Sequence, residues 1–271
     1  MSDIKRVLYV SQEIFPYLPE SNTSNLTRFM PEGIQQFGWE TRTFMPKYGS
    51  INERRNQLHE VIRLSGMNLI IDDTDHPLIL KVASIQSARI QIYFIDNDDY
   101  FMRKTSIIDD DGKEFFDNDE RTIFFARGVM ETVKKLRWTP NIIHCTGWMG
   151  APVPIYVKKA YNDAPFFKNS KVIWSLLDDE FQQPFRKDFA KKMKTGDLRE
   201  KDISSIKNKE LNYITLSKFA IDQCDGIIQI SKNVNPQLLE YVKDSSKPFL
   251  PYQGEENYMP QFAEFYDNLL K

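Results

Sequence analysis

Short apolar runs alternate with helical spacings along this sequence, and that alternation restricts the fold more than any other feature. Residues 6–11 hold Val7-Leu8-Tyr9-Val10, a run of strand length. Leu26, Phe29, Met30 and Phe37 then recur at helical spacing, and Gly38 stops the pattern. Asn22, Thr23, Ser24 and Asn25 offer N-cap chemistry for this helix, while Pro31, with no amide proton to donate, predicts a kink or a local interruption. A second strand at 41–45 follows at once, the spacing at which a crossover helix returns the chain to a parallel neighbour.

Residues 60–96 break the rhythm. The runs 61–64, 78–84 and 90–95 are strand-like and separated by Gly, Asp and Pro, which reads as an antiparallel hairpin insertion. Alternation resumes with an amphipathic helix at 119–137 carrying Ile123, Phe124, Val129, Val133 and Leu136. Strands at 141–145, 171–177 and 226–230 and helices at 151–161, 213–223 and 235–242 complete the pattern. The expected fold is α/β: a single Rossmann-like, doubly wound, mostly parallel sheet with that insertion, over residues 1–250. Residues 251–271 are expected to form an extension. Its Phe262, Phe265, Tyr266, Leu269 and Leu270 make the apolar stripe of a helix that packs on the same domain or on a partner.

Composition then excludes several functions. With 36 Lys+Arg against 38 Asp+Glu the net charge is -2, so no whole-molecule field favours nucleic acid. No apolar run approaches the ~18 residues of a membrane span, so no membrane partner is expected. Cys145 and Cys224 are too few for a disulfide framework or a four-Cys zinc site. Together with a start that runs straight into the first strand, they point to a cytoplasmic protein. The first glycine after Val10 is Gly33, and neither G-x-G-x-x-G nor a P-loop occurs, so neither NAD nor any other cofactor is expected. An EF-hand built on Asp109-Asp110-Asp111-Gly112 would begin at Ile107, which cannot ligate calcium. Asp117, Asp119 and Glu120 read instead as helix-start charges. Residues 183–209, with nine Lys and Arg, read as a solvated and partly mobile excursion. His59, His76 and His144 lack metal-ligand spacing, so no metal site is expected. His144, near the carboxyl end of a parallel strand, fits either a cleft residue or a hydrogen-bonded core histidine.

Several motifs occur together and in order. They are the segment from Lys5 to Pro16, the helix holding Pro31, Phe94-Ile95-Asp96, the run from Asp111 to Arg121, Phe124-Phe125 with Arg127, and Trp138-x-Pro140 leading to His144-Cys145-x-x-Trp148. From about residue 5 to residue 243 the chain resembles the amino-terminal domain of bacterial glycogen and starch synthases. The resemblance implies one half of a GT-B glycosyltransferase, whose first domain holds the growing glucan and whose second holds ADP-glucose. Residues after Val242 are not expected to supply that second domain or its Arg, Lys and paired Glu. The family's K-x-G-G-L falls on Pro19-Glu20-Ser21-Asn22-Thr23, its H-x-H-D-W on His144-Cys145-Thr146-Gly147-Trp148, and its T-x-H-N on Trp174-Ser175-Leu176-Leu177.

Transfer from a nucleotide sugar needs positive charge and close donors at the departing diphosphate, and these substitutions remove both. The resemblance therefore implies a relative unable to transfer glucose alone, with no catalytic residue assigned. The candidate ligand cleft, for an α-glucan or sugar, comprises Glu13, Tyr17, Asn22, Phe101, His144, Trp148 and Asp178. Two other readings stand beside it. One is a glycosyltransferase subunit, carrying glucose from ADP-glucose to α-1,4-glucan, that takes its donor domain from another chain. The other is a regulatory protein that self-associates or binds a partner at the face the donor domain would cover.

Overall fold

The computed structural model describes residues 4–271. Its strands are β1 (Arg6–Ser11), β2 (Glu40–Pro46), β3 (His59–Glu60), β4 (Met67–Ile71), β5 (Thr74–Ile85), β6 (Ile90–Asp96), β7 (Ile142–Thr146), β8 (Lys171–Leu176), β9 (Gly226–Gln229) and β10 (Phe249–Leu250). The helices are α1 (Asn22–Gln35), α2 (Asp98–Phe101), α3 (Asn118–Leu136), α4 (Val153–Ile155), α5 (Phe189–Lys192), α6 (Tyr213–Gln223), α7 (Pro236–Asp244) and α8 (Met259–Leu269). The sheet runs β10-β9-β8-β7-β1-β2-β6-β5-β3, with β4 paired to β5. From β10 to β6 every pairing is parallel, and β5 turns antiparallel onto β6, which is the expected insertion. Among the described residues no helix is long and apolar enough to cross a membrane.

Both faces of the sheet are covered, so its central strands are apolar on every residue rather than on alternate ones. Leu8, Val10, Ile143, Cys145, Val172 and Trp174 face one core, filled by Ile123, Phe124 and Val129 of α3 and Leu216 and Ala220 of α6. Val7, Tyr9, Ile142, Ile173 and Ile228 face the other, closed by Met30 and Ile34 of α1 and by Phe262 and Tyr266 of α8.

Some local expectations need correction. Residues 61–64 form a turn, not a strand, and the pairing segments there are the two-residue β3 and the longer β4. The expected helix at 151–161 is reduced to the short α4 and a π-helical turn at Tyr156–Ala160, preceded by a 3-10 turn at Trp148–Gly150. Pro152 and Pro154 lack the amide protons an α-helical ladder would use there. The π turn closes with the Tyr161 amide donating to the Tyr156 carbonyl at 2.9 Å. Pro31 does not interrupt α1, which runs through it. The cap of α1 is Ser21, one residue before the expected set. Its hydroxyl accepts from the Ser24 amide at 2.9 Å, and its own amide donates to the Ser24 hydroxyl at 2.8 Å.

The basic segment 183–209 is solvated along much of its length, as expected, but it is also pinned to the domain by buried side chains. Phe185 and Phe189 join Phe181 in an aromatic cluster against Trp148, with ring centroids 4.8 to 5.7 Å apart. Ile203 and Ile206 are buried as well. Arg186 donates to both carboxylate oxygens of Asp119 at 2.7 Å, and Lys192 reaches Glu120 at 2.7 Å. Asp119 and Glu120 thus complement the start of α3, as expected, and also anchor this segment.

Candidate functional site

Strand order reverses between β7 and β1, and the crevice of such sheets opens at the carboxyl ends of the strands beside that reversal. Backbone and side chains leaving β1 and β7 are interlocked at this point. The Gln12 amide donates to the Thr146 carbonyl at 2.9 Å, and the Gln12 side-chain oxygen accepts from the Met149 amide at 3.1 Å. Gly147 has φ +90°, a conformation other residues avoid, and a Cβ placed on it would stand 2.4 Å from Gln12 Cβ. The Gln12 side chain therefore fills the volume a side chain at 147 would need.

Two carboxylates lie nearby. Glu13 accepts from the Ser21 hydroxyl at 2.7 Å, and burial raises its pKa despite that bond. Asp179 accepts from the Trp148 amide at 3.0 Å and the Tyr213 hydroxyl at 2.6 Å, while burial pushes its carboxyl up to about 6.

A cavity of about 370 Å³ opens along the β8 and β9 ends. Asn22, Thr23, Asn25, Leu26 and Phe29 of α1 form one side and Tyr252, Gly254, Glu255 and Tyr258 the facing side. Leu177, Asp178, Ile230, Ser231, Lys232 and Asn233 complete the lining. The Ser231 hydroxyl donates to Asp178 at 3.0 Å. Lys232 is the single cation among the described lining residues, against Asp178 and Glu255. Phe29 is 51% exposed, so an aromatic face stands beside a row of amides and hydroxyls. In chemical terms that combination suits a neutral polyhydroxylic ligand better than a diphosphate. Among the described residues, no three His, Cys, Asp or Glu side chains gather as a metal site.

Of the seven residues proposed from the sequence, the structure brings Asn22 and Asp178 together in this cavity. Glu13 sits behind the first turn of α1, bonded to Ser21. The other four side chains are buried. Tyr17 packs edge-on against Phe94 at 4.9 Å, Phe101 lies under the Arg121 guanidinium at 5.2 Å, and Trp148 belongs to the Phe181 and Phe185 cluster.

His144 is fully buried in the core under α8 and is the hydrogen-bonded core histidine of the two sequence alternatives. Its Nδ1 lies 2.6 Å from the Tyr266 hydroxyl and its Nε2 2.8 Å from the Ser175 hydroxyl. Burial holds its pKa down to about 3, so the ring is neutral. Sequence reasoning missed Phe29, Ser231, Lys232, Asn233, Tyr252 and Tyr258. The loop after β9 carried a usable signal, because it leaves the carboxyl end of a parallel strand.

Comparison with known proteins is consistent across sequence and fold. A family model for the starch synthase catalytic domain matches residues 6–245. Glycogen synthases of Chlorobium luteolum and Chlorobaculum tepidum are 38% and 39% identical to the chain over 172 residues, 63% of this chain and 35% of each relative. The matched region thus spans about a third of those relatives. The catalytic domain of starch synthase IV from Arabidopsis thaliana, solved bound to ADP and acarbose, superposes with a TM-score of 0.73 over 92% of this chain and 51% of that one. At 15% identity that likeness is one of fold.

Proposed function

Since the chain belongs to the starch synthase catalytic domain family, we propose that it binds an α-glucan or a related neutral sugar in the 370 Å³ cavity and does not transfer glucose by its own residues. The interlock of Gly147 and Gln12 carries this reading. The resemblance places the family's aspartate at 147, where the backbone is now in a glycine conformation and the side-chain volume belongs to Gln12. Thr146, at the family's second histidine, has its hydroxyl 3.2 Å from that of Ser175. Before and at the start of α1 the family's lysine and paired glycines become Pro19, Ser21 and Asn22, so no ammonium or bare backbone meets a leaving diphosphate. The cavity keeps what sugar binding uses: the Phe29 face, Tyr252 and Tyr258, and the amides of Asn22, Asn25 and Asn233.

Calorimetric titration with maltoheptaose is expected to give saturable heat at micromolar to millimolar sugar, and absence of heat at millimolar sugar overturns the binding reading. Incubation of the purified chain with radiolabelled ADP-glucose and glycogen is expected to give no incorporation above a no-protein control. Robust labelling overturns the second half of the proposal.

One observation favours a further reading, a transferase half completed by a donor domain from elsewhere. Phe15 and Phe29 are 36% and 51% exposed around the first turns of α1, apolar surface that a facing domain would cover. Labelling that appears only when cell extract is added supports it.

A further inference from the structure

Tyr252, Gly254, Glu255 and Tyr258 form one wall of the cavity, and all four lie beyond residue 245, where the family match ends. They lie on the segment that leads into α8. Tyr258 precedes the helix as its N-cap and packs on Phe262 with ring centroids 5.2 Å apart. The helix rests in a seat shaped by two glycines. A Cβ at Gly33 of α1 would stand 2.5 Å from Met259 Cγ, and one at Gly226 of β9 would stand 2.9 Å from Leu269 Cδ1.

A chain of buried polar groups ties the helix down at the centre of that seat. The Tyr9 and Tyr266 hydroxyls are 3.3 Å apart, Tyr266 reaches His144 Nδ1 at 2.6 Å, and Ser175 holds Nε2 at 2.8 Å. The groups facing the imidazole are Tyr9 from β1, Ser175 from β8, and Phe262 and Tyr266 from α8. Thr146 of β7 bonds Ser175 behind the ring. The titratable ones are the two tyrosines. No carboxylate is among them to balance an imidazolium.

We propose that residues 252–270 are a closable wall of the cavity, a latch that stays on the sheet while His144 is neutral and loosens when the ring takes up a proton. The proposal rests on the sugar-binding reading only for the identity of the ligand that the wall encloses. A buried, unpaired cation is costly, so the covered ring resists protonation down to about 3, whereas an uncovered ring titrates near the ordinary histidine value of about 6.5. Because the docked state binds the proton less tightly, docking has its full strength above about pH 6.5. It weakens about tenfold for each unit of pH below that, down towards about 3. Opening removes one side of the cavity, so bound ligand resists it by a factor of one plus the ratio of free ligand to Kd.

Hydrogen exchange on the full chain, corrected for intrinsic rates, tests this. Amides of residues 260–269 are expected to lose about thirtyfold in protection between pH 7.5 and pH 5.0. Maltoheptaose at ten times its Kd is expected to raise α8 protection about tenfold. An α8 whose protection ignores pH overturns the latch, whatever calorimetry reports for the sugar. Absence of binding heat removes the sugar reading alone, and the pH arm still decides the latch. Sugar that binds without protecting α8 overturns the link between latch and cavity. His144→Gln is expected to abolish the pH response. Should that variant not fold, Tyr266→Phe keeps the ring and deletes the hydroxyl contacts. It is expected to lower α8 protection about tenfold at pH 7.5, and unchanged protection counts against the proposal.

Discussion

Gly147 and Gln12 illustrate how a local substitution becomes fixed by its surroundings. Returning an aspartate to 147 asks a side-chain-bearing residue to adopt φ +90° and to displace a glutamine whose oxygen satisfies the Met149 amide. We expect Gly147→Asp to destabilise the fold by about 3 kcal/mol in urea titrations, without gaining glucose transfer. The sequence displayed the glycine, but nothing in it indicated which neighbour takes up the vacated space. Asp179 makes a second prediction at this scale. Burial raises its folded pKa to about 6, above the ordinary aspartate value of 3.8, so the folded chain holds this proton more tightly than the unfolded one. Its contribution is fully present below the unfolded value and is lost as pH rises through about 6. Asp179→Asn should therefore flatten the slope of stability against pH between those two values, read from denaturation midpoints. His144 acts with the opposite sign, since its folded pKa is depressed.

Among the elements, the segment between β8 and α6 departs furthest from its sequence reading. Its lysines and arginines suggest solvent, yet Phe181, Phe185 and Phe189 stand four residues apart, an apolar spacing that the charges obscured. Glu120 of α3 anchors this segment, bonded to Arg186 at 2.6 Å, Lys192 at 2.7 Å and the Tyr100 hydroxyl at 3.1 Å. The Lys192 side chain is only 3% exposed. Glu120→Gln leaves that ammonium with Asp188 as its remaining acidic partner, and we expect a loss of about 3 kcal/mol by chemical denaturation. The long elements were legible: α3 and α6 carry enough turns, and β1 and β7 enough consecutive apolar residues, for their periods to stand out. β3, with two residues, is too short to show any period, and the prolines at 152 and 154 hide the backbone adjustments around α4.

For the molecule as a whole, the alternation of strand and helix was enough to read a mostly parallel sheet with an antiparallel insertion. The cavity was less legible because four distant stretches build it: α1, the loops after β8 and β9, and the segment before α8. No local spacing reports that meeting. Tyr266 shows how far the whole depends on it, since its ring is fully buried among Tyr9, Trp39 and His144. Tyr266→Ala is expected to cost about 4 kcal/mol in thermal or urea unfolding, because it removes an aromatic ring and strands the His144 nitrogen.

The contact between Tyr9 and Tyr266 spans 257 positions of the chain. During synthesis, Val7, Tyr9, Ile142, Ile173 and Ile228 have only Met30 and Ile34 of α1 to shelter them on that side until the residues of α8 clear the ribosome. Until then the half-covered sheet surface lies open to chaperones, and to other unfinished copies of the protein.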